Sequence, residues 1–151
     1  MHRLVRVTSD DYRDFRRAYS KIEYSFFKKG EEQPSITKAV REMTQGTIKT
    51  KMEFLEEVNN PNNELYFFEV DGEIQGIVEL IFCKKECNIY QFAVFEHLKG
   101  LGTTFYQEVL NIIKEHKSKK ITLWCPYEGS QMFWLKNGFY PKYGGFFQKK
   151  I

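Results

Sequence analysis

A pair of glycines stands where a strand-like run gives way to an amphipathic helix. Residues 97–104 read HLKGLGTT, and two residues separate them from the end of that run at Val94. Gly100 and Gly102 allow a tight backbone turn, and the first amides of the helix have no partner within it. Such amides bind phosphate groups, and Lys99 adds a positive charge at the same point. The pattern indicates a phosphate-bearing ligand, although glycines also begin helices for purely steric reasons.

The length and composition indicate one compact domain spanning residues 1–151. The 14 phenylalanines and 9 tyrosines predict a core or a ligand cleft that is lined by rings. No apolar run approaches the roughly 20 residues of a membrane span, and the N-terminus lacks the long apolar region of a secretory signal. We therefore expect a cytoplasmic protein without a membrane partner.

The three cysteines cannot all pair with one another. Cys83, Cys87 and Cys125 are therefore expected to be free thiols in a reducing compartment. The spacing of Cys83 and Cys87 resembles half of a metal site. No histidine or second cysteine pair supports such a site, and we expect no metal.

Charge is unevenly distributed along the chain. Residues 97–151 contain nine lysines and three glutamates, a net +6, so residues 1–96 carry −3 of the total of +3. A basic C-terminal half suits an anionic cofactor. Four lysines between positions 114 and 120 suggest nucleic acid only weakly, because cations are favourable at a solvated helix end in any case. We expect no nucleic-acid partner.

The N-terminal part of the chain is predicted to supply helices. Residues 4–7 form a short strand candidate, and Thr8 with Asp11 three residues later resembles a capping box. Residues 30–34 end the first of three predicted helices, and Asn59 ends the third. The apolar positions of the three predicted helices are 12, 15, 19, 22 and 26 in the first, 36, 39, 40 and 43 in the second, and 48, 52, 55 and 58 in the third.

The rest of the chain is predicted to be an antiparallel meander followed by a crossover to a parallel strand. Asp71 and Gly72 supply a two-residue hairpin turn within the meander. The crossover rule makes the strand after the long helix parallel to the strand that ends at Val94. The elements are, in order, strands at 65–70, 73–82 and 88–94, a helix carrying Phe105, Val109, Ile112 and Ile113, a strand at 121–125, a helix at about 128–136, and a hairpin turning at Gly144 and Gly145.

This order of elements resembles the GCN5-related N-acetyltransferase (GNAT) superfamily over nearly the whole chain. The family's phosphate loop has Gln or Arg, two residues, Gly, one residue, then Gly or Ala, and residues 97–102 fit it except that His97 takes the first place. Residues 133–139 (FWLKNGF) look like the family's helix-four signature. The implied fold is α+β in α/β/α layers, with a mixed, mostly antiparallel twisted sheet, splayed central parallel strands and about four helices.

The resemblance implies an acyl-CoA-dependent N-acyltransferase whose donor is acetyl-coenzyme A, held where the two parallel strands splay apart. The pantetheine arm would bond along one strand, and the diphosphate would accept hydrogen bonds at the start of the following helix. Only two residues separate Val94 from His97 where the family commonly has four, so either Phe92 takes the equivalent place or the loop is shorter. The implied donor-binding residues are Phe92, Ala93, Val94, His97, Leu98, Lys99, Gly100, Leu101, Gly102, Thr103 and Trp134.

The resemblance also implies direct transfer, in which a deprotonated primary amine attacks the thioester carbonyl. The family's usual acid is a tyrosine at the position of Trp134, whose indole is not a suitable proton donor. Tyr127 and Tyr140 are candidate substitutes, or the acid is dispensable because coenzyme A thiolate is a tolerable leaving group. Glu79 is the candidate base, and a place on a solvated strand face is the alternative for it.

Two more residues could contact the acceptor or the acetyl group. Gln91 lies in the strand that leads to the donor site and could orient an amine, although it cannot accept a proton at neutral pH. Cys125 ends a strand that faces the expected cleft and could accept the acetyl group. No histidine adjoins it in sequence, which favours an inert buried thiol.

The acceptor has no recognisable sequence signature. In this superfamily residues equivalent to 19–63 shape the acceptor pocket, and glutamates at positions 31, 32, 56 and 57 could attract a polyamine, an aminoglycoside or a peptide amine, or could simply be exposed. We expect a small-molecule amine, and a homodimer is one assembly that the sequence allows. The alternative function is a non-catalytic acyl-CoA-binding sensor or partner-binding module that lost the acid at Trp134.

Overall fold

Seven strands form one sheet in the part of the chain that the computed structural model describes, which is residues 1–21, 50–94, 100–126 and 128–151. The strands are β1 (His2–Arg6), β2 (Asn63–Val70), β3 (Glu73–Cys83), β4 (Glu86–Val94), β5 (Lys120–Trp124), β6 (Tyr140–Pro141) and β7 (Phe146–Lys150). Their order across the sheet is β1-β2-β3-β4-β5-β7-β6. β4 and β5 are parallel, and the other neighbouring pairs are antiparallel.

Helices lie on both faces of this sheet. They are α1 (residues 12–21), α2 (Lys51–Asn59), α3 (Leu101–Glu115) and α4 (Glu128–Lys136). One apolar cluster joins α3 and α4 to sheet residues such as Leu80 and Ile121, and a second joins α1 and α2 to Phe67 and Ile77. The predicted α+β fold with a mostly antiparallel sheet and about four helices is therefore confirmed. Among the described residues, no helix is long and apolar enough to cross a membrane.

Local sequence signals predicted several boundaries correctly. The capping box forms, with the amide of Thr8 donating to Asp11 Oδ2 at 2.7 Å. Asp71 and Gly72 have φ angles of 52° and 84°, as a tight hairpin turn requires. The structure also ends α2 at Asn59 and gives α4 its predicted bounds.

Other boundaries and one helix face differ from the prediction. β2 and β4 each begin two residues earlier than predicted, because Asn63 pairs with Ile81 and Glu86 pairs with Cys83. Met52, one of the apolar positions of the third predicted helix, is 72% exposed on α2. Tertiary packing buries Phe54 of that helix instead. The predictions for positions 22–49 fall outside the described residues.

A β-bulge at Tyr90 changes which residues of β4 face α3 and α4. Before the bulge, Cys87 and Ile89 belong to the cluster on that face; after it, Phe92 and Val94 do. The pairing with β3 shifts accordingly, from Leu80↔Ile89 to Glu79↔Gln91. An extra residue in one strand bends it and increases its local twist. The bulge therefore redirects β4 in its last five residues.

A buried carboxylate fixes the far end of α3. Glu64 of β2 is 8% exposed and lies 2.6 Å from His116 Nε2 and 3.2 Å from Arg6 Nη1. The hydroxyl of Tyr66 also donates to Glu64. Burial, together with this hydrogen bond, raises the pKa of Tyr66 to about 12. Because His116 caps the C-terminus of α3, its contact with Glu64 anchors the helix to the sheet.

Gly76 allows β3, β4 and α3 to pack closely against one another. A β carbon at this position would lie 2.7 Å from the carbonyl oxygen of Ala93 and 3.1 Å from Cε1 of Phe105. Both neighbours are fixed, one by the strand backbone and the other by the core. No side chain fits without movement of the strand.

We expect Gly76→Ala to lower the free energy of unfolding by about 1–3 kcal/mol, as overpacking typically does. Chemical denaturation followed by circular dichroism measures the change. Gly72→Asn is the matched control, because its site is open within 4 Å and asparagine tolerates positive φ. Equal loss of stability in the two variants would contradict the close approach.

Candidate active site

β5 pairs with only the first half of β4. Their parallel register runs from Glu86↔Lys120 to Ile89↔Leu123 and stops there. Beyond that point the amide of Cys125 donates to the carbonyl of Gly145 at 2.8 Å, so the chain after β5 follows the β6–β7 hairpin. β4 continues to Val94, and among the described residues this last part pairs only with β3. β4 and the chain after β5 thus take different partners beyond Ile89 and Leu123, and we call the opening between them the gap.

The free edge of β4 presents alternate backbone groups to this gap. The carbonyl oxygen of Ala93 lies against Gly76, as the 2.7 Å approach described above requires, so it points toward β3. In an antiparallel pair, the backbone groups of successive residues point to opposite sides. The amides and carbonyls of Phe92 and Val94 therefore face the gap, whereas those of Ala93 are used within the sheet.

The start of α3 offers a second set of backbone donors. Gly100 has φ 86° at the N-cap, and the first helical hydrogen bond runs from the amide of Thr104 to the carbonyl of Gly100 at 3.1 Å. The amides of Leu101, Gly102 and Thr103 therefore have no acceptor within the helix. No acidic residue stands in this first turn. The site favours an anion. His97, Leu98 and Lys99 lie outside the described residues.

Aromatic rings form the wall behind the gap on the α3 and α4 side. Phe92 stacks on Phe105 at 4.5 Å between centroids, and Trp134 meets Phe92 edge-on at 5.2 Å. Trp134 is only 6% exposed and also contacts Phe139. It therefore packs in the core beneath Phe92, where it holds the strand that borders the gap.

The family model described as the acetyltransferase (GNAT) family matches residues 14–139. The chain belongs to this family. None of the curated proteins matches the sequence. The resemblance drawn from the loop and from the helix signature is confirmed.

Solved structures share the GNAT fold with this chain. The PaiA N-acetyltransferase of Thermoplasma acidophilum, in complex with coenzyme A, has a TM-score of 0.75 at 17% identity, with 100% of this chain and 99% of that chain covered. A GNAT acetyltransferase of Elizabethkingia anophelis with acetyl-CoA bound gives 0.55 at 19% identity, covering 68% and 84%. An aminoglycoside acetyltransferase from an uncultured soil sample gives 0.69 at 12% identity, covering 95% and 94%. The acetyl-CoA donor expected from the sequence agrees with these complexes.

Glu79 lies on the opposite face of the GNAT sheet from α3 and α4. It is 2% exposed and pairs across β3 and β4 with Gln91. The neighbouring pair on that face is Ile77 with Ala93. The alternative of a solvated face for Glu79 is wrong, because the strand is covered there by the α1 and α2 layer. A buried carboxylate one strand from the gap is consistent with a role as a base.

The tyrosines differ in their distance from the gap. Tyr140 stands on the edge strand β6, three strand spacings or roughly 14 Å from β4, and its hydroxyl accepts a hydrogen bond from Gln148. The structure does not bring Tyr140 to the gap, and Tyr127 lies outside the described residues. Sequence reasoning missed Tyr90, which is 53% exposed at the bulge itself. An interruption of strict alternation in β4 was its only signal.

Tyr106 is a second aromatic residue that the sequence analysis did not single out. It is fully buried, meets Trp134 edge-on at 5.7 Å, and its hydroxyl accepts from Lys149 Nζ at 3.4 Å. Burial raises the pKa of Tyr106 well above its usual value. Burial and the nearby Lys114 lower the pKa of Lys149. Tyr106 thus serves the core as a neutral phenol.

None of the three cysteines forms a disulfide, as predicted, and their side chains differ in solvent exposure. Cys125 is 5% exposed, and its carbonyl accepts from Gln131 Nε2 at 2.9 Å. Cys87 is fully buried, and burial together with the Glu64 carboxylate raises its pKa to about 12. No group of three metal-ligating side chains occurs among the described residues.

We expect one fast-reacting thiol per chain when the folded protein meets an aromatic disulfide reagent at pH 8. Cys83 is exposed and reacts, while Cys87 stays protonated because its pKa is raised, and Cys125 is shielded by its burial. Absorbance of the released thiolate counts the reactive groups, and denaturant raises the count to three. Fast labelling of Cys125, located by peptide mass, would show an open nucleophile beside the gap.

Proposed function

We propose that this GNAT protein transfers the acetyl group of acetyl-CoA directly to a primary amine of a small molecule. The observation that carries the proposal is the end of the β4–β5 pairing at Ile89 and Leu123, which leaves an edge of β4 open, followed along the chain by the donor-rich start of α3. A strand edge with unpaired amides and carbonyls suits an amide-containing arm such as pantetheine. A helix start without acidic residues suits the diphosphate.

In this proposal the donor binds by backbone contacts. Phe92 and Val94 exchange hydrogen bonds with the pantetheine arm, and the amides of Leu101, Gly102 and Thr103 donate to the diphosphate. His97, Leu98 and Lys99 precede these amides in the chain, and we assign them to the same donor site from the sequence. Trp134 contributes by supporting Phe92 from the core. Because backbone groups do the binding, space and conformation at the glycines matter more than side-chain chemistry at His97.

The chemical step is attack of the neutral amine on the thioester carbonyl. A C–N bond forms, the C–S bond breaks, and the electron pair leaves on the coenzyme A sulfur. Glu79 takes the ammonium proton through water, and Gln91, its cross-strand partner, orients the amine. We assign no acid, because the thiolate is a stable leaving group. The buried thiol of Cys125 supports transfer without an acetyl-cysteine intermediate.

A non-catalytic coenzyme A sensor is the second candidate, and the tryptophan at the position of the usual tyrosine favours it. Trp134 is held in the core and has no acidic proton to donate. A panel of primary amines distinguishes the two functions. Release of thiol from acetyl-CoA with any amine supports the enzyme, while tight binding without release supports the sensor.

We expect Gly102→Asp to weaken coenzyme A binding at least about tenfold, since a carboxylate would meet the diphosphate at the helix start. Isothermal titration calorimetry measures the affinity. The carboxylate favours the helix itself, so folding is retained. Gly102→Ala is the matched control, because its β carbon would lie 3.4 Å from the Phe133 ring, an ordinary contact. Equal affinity in Gly102→Asp and wild type would refute the diphosphate assignment.

We expect Glu79→Gln to lower kcat by roughly 10²–10⁴-fold, the usual effect of removing a general base. The affinity for coenzyme A should stay unchanged. Glu73→Gln on the same strand is the control, because Glu73 is exposed at the start of β3. A kcat that falls no further for Glu79→Gln than for this control would remove Glu79 from the mechanism.

A further inference from the structure

Three aromatic rings stand exposed beside the mouth of the gap. Trp124, the last residue of β5, is 47% exposed, and its cross-strand partner Phe146 is 42% exposed. Tyr143, in the turn that precedes β7, is 75% exposed, and its ring centroid lies 5.4 Å from that of Phe146. We call Trp124, Tyr143 and Phe146 the aromatic platform. Exposed rings that cluster in this way are typical of recognition surfaces.

Hydrogen bonds hold the aromatic platform in place. The indole Nε1 of Trp124 donates to the carbonyl of Gly144 at 3.2 Å, and the amide of Phe146 donates to the carbonyl of Tyr143 at 2.8 Å. Gly145 has φ 83°, and a β carbon there would lie 3.2 Å from the carbonyl oxygen of Cys125. The turn is therefore closely fitted to the end of β5. The Trp124 indole is thus both exposed and held by a hydrogen bond, and such a ring loses little entropy when a ligand binds.

The position of the platform connects it to the reaction. Trp124 is the first residue of β5 beyond the last parallel pair, Ile89↔Leu123, so it stands where the gap opens. Leu123 faces the α3 and α4 core, and alternation turns Trp124 to the other face. The same alternation places Gln91 and Glu79 on that other face. The platform and the proposed base thus share one side of the sheet, on either side of β4.

The hairpin that carries Tyr143 and Phe146 offers no carboxylate to a cation. Residues 138–151, which form the β6–β7 hairpin and its approach, contain no aspartate or glutamate. The additional cations of a polyamine or an aminoglycoside therefore find no acidic partner on this hairpin. An acceptor with one amine and a flat apolar body needs none, because its ring packs on the aromatic platform while its amine extends toward Glu79.

We propose that the acceptor is an aromatic monoamine, a primary amine joined by a short chain to an aromatic ring that stacks on the aromatic platform. This inference rests on the proposed function, because it takes the gap as the place of acetyl transfer. It narrows the acceptor class to arylalkylamines and sets polycationic amines aside.

The test measures amine binding to the coenzyme A-saturated protein by calorimetry, with 2-phenylethylamine, tryptamine, propylamine, spermidine and kanamycin as probes. We expect the two aromatic amines to bind severalfold, up to about tenfold, more tightly than propylamine and the two polycations, since stacking on a ring is worth up to about tenfold. Trp124→Ala and Tyr143→Ala should each weaken the aromatic amines severalfold. Leu135→Ala, at an exposed apolar residue of α4, is the control and should change nothing.

Amine binding tests the acceptor class, and thiol release tests the proposed enzymatic function. Tighter binding of propylamine, spermidine or kanamycin than of the aromatic amines overturns the inference, as does unchanged binding in both platform variants. Coenzyme A affinity in each variant confirms that it is folded. Thiol release from acetyl-CoA is assayed separately. Aromatic amines that bind on the platform without thiol release would refute the enzyme and leave the recognition surface standing.

Discussion

The separation of β4 from β5 is the constraint on which the rest of the site depends. Two local features produce it from opposite sides. The bulge at Tyr90 bends β4 just after its last pair with β5, and the carbonyl of Gly145 draws the amide of Cys125 toward the final hairpin. Neither strand can close the gap without breaking a hydrogen bond or reversing the bulge. The backbone groups of Phe92 and Val94 therefore remain available.

The core supports this opening from behind. A stack of aromatic rings runs from Phe68 through Phe105 to Phe92 and ends against Trp134, with neighbouring centroids 4.5 to 5.2 Å apart. Gly76 lets β4 and the Phe105 ring approach closely. Helix α3, which carries the anion-binding start, is anchored at its other end by the contact of His116 with Glu64. The two parts of the donor site are thus built on rigid elements.

The sequence predicted the fold better than it predicted the catalytic residues, for physical reasons. Periodicity and turn chemistry act locally, so the Asp71-Gly72 turn and the helix at Glu128–Lys136 could be read directly. A bulge breaks alternation by a single residue, and this interruption is the only sign of it in the strand-forming run around Tyr90. The burial of Glu79 depends on distant helices that cover its strand. Adjacency in sequence also made Tyr140 a candidate, although the chain carries it to the far edge of the sheet.

Amide NMR during titration with coenzyme A tests the central claim most directly, because the claim concerns backbone groups and not side chains. The account predicts the largest chemical-shift changes, and slowed hydrogen exchange, at the amides of Phe92 and Val94 in β4 and of Gly102 and Thr103 at the start of α3. The amide of Ala93, which is used within the sheet, should change less in its exchange rate. Changes confined to other surfaces, with exchange at all four amides unaltered, would contradict the assignment of the gap as the donor site.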